Sequence, residues 1–299
     1  MKHAVRRDVE QVADGFSFIE APRWHDGRLY FSDFHTHRVH VLERDGTVGT
    51  VCEVPGRPSG LGFDPDGRLL VVSMTDRRLL RLDGGTLHEL ADLSDHAPFH
   101  LNDMVVDAAG RAYVGNFGSD HHREGIRPTR LLRVDPDGRI AVAAEGLVFP
   151  NGTVIAPDGR TLVVAESFAF RLTAFDVAPD GTLSGRREWA RFADATATEM
   201  AEVFASEATL ADGICLDAEG AIWVAHARGS GALRVREGGE VVDVVDTGDL
   251  SVFAVALGGD DRRTLYMCAG PPHGEVDPSA TRLGRLLACR VDVPGAGIP

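Results

Sequence analysis

Short runs of alternating hydrophobic and polar residues cover most of this chain, and tight-turn pairs such as Asp-Gly separate the runs. An alternation with a period of two is typical of β-strands that bury one face, whereas a helical period is weak nearly everywhere. One pattern recurs: a small or polar residue, an apolar run, a turn with glycine, and a second run rich in Val, Leu and aromatic residues. This pattern predicts antiparallel strand pairs joined by tight turns.

Six copies of the pattern follow one another at intervals of roughly 40 to 60 residues, near the repeat length of propeller blades. A third short apolar run follows each copy, and a more variable fourth run comes after it. Because radially arranged four-stranded blades protect the edges of many short strands, we predict an all-β, six-bladed β-propeller with four-stranded antiparallel blades. It is expected to be one domain over residues 1–299, with the chain before Glu20 completing the last blade. The turn positions are Gly27, Gly67, Gly110, Gly159, Gly220 and, without a glycine, Arg262.

The chain carries a formal charge of −14, from 31 Lys and Arg against 45 Asp and Glu. An acidic surface repels phosphate backbones and anionic membranes, so neither nucleic acid nor a membrane is an expected partner. No apolar stretch reaches the ~20 residues of a membrane span, and the N-terminus lacks the apolar core of a signal peptide. We therefore expect a cytoplasmic protein that acts on a small-molecule substrate as a monomer or small homo-oligomer.

The four cysteines, Cys52, Cys215, Cys268 and Cys289, include no C-x-x-C pair. Their spacing therefore indicates neither a thiolate zinc site nor a redox motif. The three that fall inside apolar strand-like runs are expected to be buried, unreactive thiols.

Candidate chemistry appears when the six copies are aligned on the turn position. Eight residues upstream, where the innermost strand should begin at the central channel, four copies carry a carboxylate or an amide. For any one position alone, the alternative is a turn hydrogen bond made by Asn or Asp. Together, oxygen ligands with two carboxylates suit one divalent metal ion: Ca²⁺ or Mg²⁺, with Mn²⁺ or Zn²⁺ also able to bind. In chain order the six residues are Glu20 (in a copy one residue shorter), Ser59, Asn102, Asn151, Asp212 and Ala254.

The motifs around these positions extend over essentially the whole chain and, taken together, are specific. They resemble those of the senescence-marker-protein/gluconolactonase/luciferin-regenerating-enzyme family. The resemblance implies a six-bladed propeller with one catalytic divalent metal, and it implies hydrolysis of a small, sugar-type lactone. The motifs are Glu20-APRW, Leu101-NDMVVD, Phe149-PNGTVIAPDGRTLVVAES, Ala211-DGICLDAEGAIWVA and Leu257-GGDDRRTLYMCA.

The same resemblance implies roles for individual residues. Glu20, Asn151 and Asp212 match the metal ligands of the family, and Asn102 matches a further ligand or substrate contact. Asp212 also matches the residue that acts as general base. Sugar lactonases of the family carry an arginine two residues before the matching asparagine, whereas this chain has His100. A histidine cannot grip hydroxyl groups as a bidentate arginine fork does, so this position leaves the identity of the lactone open.

Further substrate contacts are expected beside the metal ligands. Asn102, His100 and Asp103 are expected to face the channel, and Asn116 and His226 end the second strands of the third and fifth copies. The pair His121 and His122 is expected in a surface loop.

Helix formers with apolar residues at helical spacing predict a helix over Thr198–Ala208, just before Asp212. It is expected to be either a lid over the metal or an ordinary surface helix between blades.

Two other functions fit the same pattern. The first is a metal-dependent phosphotriesterase or aryl esterase that uses the same metal site. The second is a non-enzymatic binding propeller, although an open metal site has no evident use in a scaffold. A Ser-His-Asp esterase is not expected, because the chain has no G-x-S-x-G motif.

Overall fold

Six four-stranded antiparallel sheets make up the fold in the computed structural model, which describes residues 7–296. In five of these sheets consecutive strands pair with one another, as a simple up-and-down blade requires, and the sixth sheet combines strands from both ends of the chain. The first strands of neighbouring blades contact each other and so form a ring around the central channel. The predicted all-β, six-bladed propeller with four-stranded blades is confirmed.

Residues 7–296 form 24 strands, numbered in chain order. The first half comprises β1 Glu10–Phe16, β2 Ile19–His25, β3 Arg28–Asp33, β4 Arg38–Leu42, β5 Val48–Glu53, β6 Pro58–Phe63, β7 Leu69–Ser73, β8 Arg78–Asp83, β9 Thr86–Asp92, β10 Leu101–Val106, β11 Ala112–Asn116 and β12 Thr129–Val134. The second half comprises β13 Ile140–Leu147, β14 Pro150–Ile155, β15 Thr161–Glu166, β16 Arg171–Val177, β17 Leu183–Arg191, β18 Ala211–Leu216, β19 Ile222–His226, β20 Ala232–Val235, β21 Val241–Val245, β22 Ser251–Gly258, β23 Thr264–Gly270 and β24 Gly284–Arg290.

The ring closes through a shared blade. Strand β1 pairs antiparallel with β24 and completes the sheet of β22, β23 and β24. The prediction that the chain before Glu20 completes the last blade is thus confirmed for Glu10–Phe16, while residues 1–6 lie outside the described part. Because one sheet holds strands from both ends of the chain, opening the ring requires separating β1 from β24.

Apolar side chains between adjacent blades form the core. Leu70 and Val72 of the second blade, for example, pack with Met104 and Val114 of the third, and all four are fully or almost fully buried. Burying one such side chain stabilises the fold by about 1.5–3 kcal/mol. Cys215, Cys268 and Cys289 are buried free thiols, as expected, and Cys52 is half-buried.

Helices are few and short. In the part of the chain that the structure describes, two α-helices, α1 His121–Glu124 and α2 Met200–Ala205, and one 3-10 turn, Ser167–Ala169, lie in the connections between strands. The predicted helix over Thr198–Ala208 is therefore present but shorter, and a capping box between Glu199 and Glu202 fixes its beginning. Within the described chain, no helix has the length and apolar character needed to cross a bilayer.

Candidate functional site

Four polar side chains from four different blades line one cavity of about 400 Å³. They are Glu20 on β2, Asn102 on β10, Asn151 on β14 and Asp212 on β18, and we call them the oxygen cluster. Each is 5–8 % exposed. The structure therefore brings together the four residues that the repeat alignment selected as metal ligands.

A backbone irregularity at the same position in every blade explains this convergence. All six innermost strands slip in register at the aligned position, and such a bulge re-aims the neighbouring side chains. Within the oxygen cluster the slips fall at Glu20/Arg23, Leu101/Met104, Pro150/Thr153 and Ala211/Ile214, and in the other two blades at Pro58/Leu61 and Val252/Ala254.

Close approach of the innermost strands needs residues without a side chain beside the cluster. A Cβ atom on Gly152 would lie 2.5 Å from Asp212 O and 2.5 Å from Ile214 N. Ala21 and Phe149, which flank the cluster, adopt left-handed backbone conformations with φ of 49° and 54°. Residues other than glycine seldom adopt this conformation, and such strain concentrates at functional sites.

The amide groups of the cluster are held by their nitrogens. Asn102 Nδ2 donates to Pro150 O at 3.3 Å, and Asn151 Nδ2 donates to Ser167 Oγ at 3.3 Å and to Asp212 Oδ1. Ser167 is fixed in turn by donating to Ala211 O at 2.7 Å. Among the described residues no donor contacts either amide oxygen, so both oxygens are left for a ligand.

The pKa values of the two carboxyl groups of the cluster are raised, chiefly because both groups are buried. Burial, and then the charges of Asp212 and Asp103, raise the pKa of Glu20 well above its ordinary value. Burial and the charge of Asp103 raise the pKa of Asp212 to about 8, against the opposing effect of its hydrogen bond with Asn151. A cation in contact with both groups would favour their charged forms.

The buried guanidinium of Arg23 does not provide that compensation. Its Nη2 donates to Asp103 Oδ1 and Met104 O at 2.7 Å each, and its Nε donates to Leu61 O at 2.9 Å. Over residues 7–296, neither Glu20 nor Asp212 forms an ion pair with a basic side chain. Arg23 thus neutralises Asp103 and leaves the two carboxylates of the cluster without a positive partner.

The donor set fits a hard divalent cation. Two carboxylates match a 2+ charge, and two amide oxygens add neutral ligands of the kind that Ca²⁺, Mg²⁺ and Mn²⁺ accept. Within the described part of the chain, no group of three or more His, Cys, Asp and Glu side chains is placed to hold a metal ion. Any resident cation would therefore depend on the amides as well as on the carboxylates.

The walls of the cavity above the cluster are aromatic and apolar. Phe149 lies between Phe117 and Phe168, with ring centroids 4.7 and 4.3 Å apart, and His121 packs against all three. Phe18 and Phe34 supply a second aromatic pair, with centroids 5.2 Å apart. The sequence interpretation missed these walls. His121 and His122, which were expected in a surface loop, lie in the short helix α1, and both line the cavity.

The helix α2 covers one side of the cavity. Its Met200, Val203 and Phe204 line the space, and Arg228 holds its C-terminal end by donating to Val203 O at 2.6 Å and Ser206 O at 3.2 Å. A backbone hydrogen bond of 2.7 Å from Ile126 N to Thr198 O ties the segment before the helix to the loop that follows α1. The helix is thus part of the cavity wall.

The structure places the other four predicted substrate contacts outside the cavity lining. His100 stacks on Phe99 behind the wall, with ring centroids 4.0 Å apart, and Asp103 is bound to Arg23.

Asn116 and His226 are engaged in holding loops. Asn116 accepts from Thr129 Oγ1 at 2.6 Å and donates to Arg130 O at 2.7 Å. His226 Nδ1 accepts from the backbone N–H of Gly229 at 3.1 Å. These hydrogen bonds give both side chains structural roles.

Comparisons with known proteins agree with this architecture. Residues 18–270 match the family model described as SMP-30/Gluconolactonase/LRE-like region. The chain is 28 % identical over 288 residues to a 6-deoxy-6-sulfogluconolactonase of Pseudomonas putida, covering 94 % of this chain and 93 % of the relative. It is 29 % identical over 291 residues to the pentonolactonase XacC of Haloferax volcanii, covering 94 % and 92 %.

A solved structure shares the fold over the whole chain. It is a calcium-binding protein, regucalcin, from Agrobacterium tumefaciens, with a TM-score of 0.82 and 19 % identity. The alignment covers 100 % of this chain and 99 % of that one. At this identity the similarity shows the fold alone.

Proposed function

The chain belongs to the SMP-30/gluconolactonase/LRE-like family, and we propose that it is a divalent-metal-dependent hydrolase that opens the ring of a lactone. The observation that carries the proposal is the oxygen cluster. Two carboxylates and two amide oxygens, for which residues 7–296 supply neither a basic partner nor a donor, line one end of a cavity large enough for a small molecule. The names of two relatives as lactonases support the same conclusion.

The proposed ligands of the cation are Glu20, Asn151 and Asp212, with Asn102 as a further ligand or substrate contact. A bound divalent cation supplies Lewis-acid stabilisation of the charge that develops on the ester carbonyl oxygen. Ser167 and Pro150 hold the two amide nitrogens, which keeps the amide oxygens pointed at the ligand. Burial of all four groups excludes bulk water and strengthens these electrostatic contacts.

Asp212 is the proposed general base. Its Oδ1 accepts the hydrogen bond from Asn151, which leaves Oδ2 to take a proton from the attacking water. The water oxygen bonds to the carbonyl carbon, and the ring C–O bond breaks. The ring oxygen leaves as a hydroxyl group with the proton that Asp212 had accepted. The product is an open hydroxy acid, which releases one proton to solvent at neutral pH.

A substrate screen tests the proposal. Metal-stripped protein is resupplied in turn with Ca²⁺, Mg²⁺, Mn²⁺ or Zn²⁺, and proton release is followed with lactones, an aryl ester and a phosphotriester. We expect lactone hydrolysis that disappears on stripping, returns with at least one cation, and is absent in Asp212→Asn. The exposed turn residue Asp158 provides the matched control Asp158→Asn, which should behave as the unaltered protein does.

Four outcomes would contradict the proposal. Lactone hydrolysis that survives chelation would show that the reaction does not need the cation. Full activity in Asp212→Asn would show that Asp212 is not the general base. Turnover of the aryl ester or phosphotriester without any lactone would favour the rival hydrolase, and no turnover of any compound would favour a binding propeller.

A further inference from the structure

The cavity has a sharp division between a small polar end and a large apolar remainder. The oxygen cluster and Ser167 supply all the oxygen-bearing side chains of the lining, and its other polar side chains are His121, His122, Arg228 and His273. The remaining lining includes six phenylalanines, at positions 18, 34, 117, 149, 168 and 204, together with Met200, Val203 and Leu210. A substrate whose reacting ester lies on the cluster would therefore have its other atoms against aromatic and aliphatic side chains.

The polar side chains higher in the cavity are Arg228 and three histidines, and Arg228 is already engaged. Its Nη1 donates to Val203 O and Ser206 O, and its guanidinium lies 5.4 Å from the centre of the Phe204 ring. His273 packs against Phe18, with ring centroids 5.5 Å apart, and the buried Nδ1 of His121 has no hydrogen-bond partner among the described residues. Apart from these two histidines and His122, the hydroxyls of a sugar would enter a space with few partners, where an unpaired buried polar group is unfavourable.

The aromatic walls are fixed in place by the repeat structure. Phe18, Phe149 and Leu210 each lie two residues before a member of the oxygen cluster, on the segment that leads into an innermost strand. The strand alignment that brings the four oxygen-bearing side chains together therefore also brings these three apolar side chains into the cavity wall above them. The apolar wall is a feature of three blades rather than of one mobile loop.

We propose, as a refinement that rests on the lactonase function above, that the substrate is a lactone with an alkyl or aryl substituent and not a polyhydroxylated sugar lactone. The ester group lies on the oxygen cluster, and the substituent lies between the Phe117–Phe149–Phe168 group and the Met200–Val203–Phe204 face of α2. Each methylene buried against such walls should raise kcat/KM by about fourfold.

Matched six-membered lactones test this assignment in the full chain loaded with the cation that gives activity. The probes are δ-valerolactone, δ-decanolactone, dihydrocoumarin and δ-gluconolactone, and each rate is divided by its spontaneous rate in the same buffer. We expect kcat/KM for δ-decanolactone and dihydrocoumarin to exceed that for δ-valerolactone by roughly tenfold or more. δ-Gluconolactone should be the poorest of the four. A δ-gluconolactone value equal to or above those of the two apolar lactones would overturn the assignment and leave the lactonase proposal standing.

A variant pair locates the effect in the cavity. Phe204 lines the cavity but is 45 % exposed, so Phe204→Ala should fold normally. It should lower kcat/KM for δ-decanolactone several-fold more than for δ-valerolactone. Val142, 43 % exposed on β13 and away from the cavity, provides the control Val142→Ala, which should change neither value. Equal effects of Phe204→Ala on both lactones would contradict contact with the substituent.

Binding without turnover separates this inference from the proposed function. The lactam analogues of δ-decanolactone and δ-gluconolactone keep the ring but resist hydrolysis, and calorimetry measures their dissociation constants. Tighter binding of the alkyl lactam, by tenfold or more, would support the apolar assignment even in a protein that hydrolyses no lactone. Equal or tighter binding of the polyhydroxy lactam would refute it.

Discussion

Replacing Gly152 by alanine should displace Asn151 from Asp212 without removing any polar group from the site. Gly152 follows Asn151 on β14, where β14 approaches β18 most closely. The added Cβ would lie 2.5 Å from two backbone atoms, Asp212 O and Ile214 N, and neither can rotate away as a side chain could. Because the φ of Gly152 is not in the left-handed region, the effect is one of space and not of backbone strain.

The size of the effect follows from the distance. Carbon atoms in contact normally lie about 3.5–4.0 Å apart, so β14 and β18 must separate by about 1 Å. Overpacking of this kind costs about 1–3 kcal/mol, which a domain with a stability of roughly 5–15 kcal/mol survives. A misplacement of about 1 Å at a reacting centre lowers rates by roughly 100-fold. The variant should therefore stay folded but lose most of its cation affinity and activity.

Denaturant unfolding measures the stability of the variant, and calorimetric titration measures its cation affinity. Gly49→Ala is the matched control, because a Cβ there would meet only Val41 Cγ1 at 3.6 Å, an ordinary contact in the outer strand β5. That control should keep the stability and cation affinity of the unaltered protein. A Gly152→Ala protein with unchanged cation affinity and activity would refute the placement of Asn151 and Asp212 around one ligand.

Three further outcomes are expected. Asp212→Asn should lower lactone hydrolysis by roughly 10²–10⁴-fold while leaving weak cation binding, as measured by proton release and calorimetry, and an activity within tenfold of normal would exclude the base role. The pKa of Asp212 is raised to about 8 in the cation-free protein, so cation binding at pH 7 should release protons, and the cation affinity should rise with pH up to about 8. Calorimetric titrations in buffers of different ionisation enthalpy measure this proton release, and a binding enthalpy that is the same in all buffers would contradict it. Nearby side chains desolvate the His273 ring and lower its pKa to about 4 from its ordinary 6.5, so the unfolded chain binds the proton more readily and stability should fall slightly as pH drops from 6.5 to 4. The effect is small because solvent screens this exposed side chain, and unfolding curves of His273→Phe should lack it.

The repeat pattern determined most of what the sequence could predict about the fold. Alternating runs and turn glycines at regular intervals predict strands and blade number, because each blade must bury one face against its neighbours. The left-handed turn of the sixth copy shows why the pattern tolerates an exception: Arg262 adopts a φ of 57° where the other copies have glycine. The extent of the helix was overpredicted, since composition alone does not show that α2 is limited to Met200–Ala205.

Register also predicted the members of the oxygen cluster, because equivalent positions of the innermost strands converge at the channel. The same logic applied two residues upstream would have found Phe18 and Phe149 in the wall. By contrast, Asn116 and His226 could not be judged from position alone. Their side chains are taken up by hydrogen bonds within their own loops, and those partners depend on loop conformations that strand periodicity does not specify.

The central claim is that one divalent cation binds at the oxygen cluster, and anomalous diffraction from crystals grown with Mn²⁺ tests it most directly. The account predicts a single strong anomalous peak in the cavity, within about 2.6 Å of side-chain oxygens of Glu20, Asn151 and Asp212. A crystal structure with no peak there, or with these oxygens too far apart to contact a common atom, would contradict it.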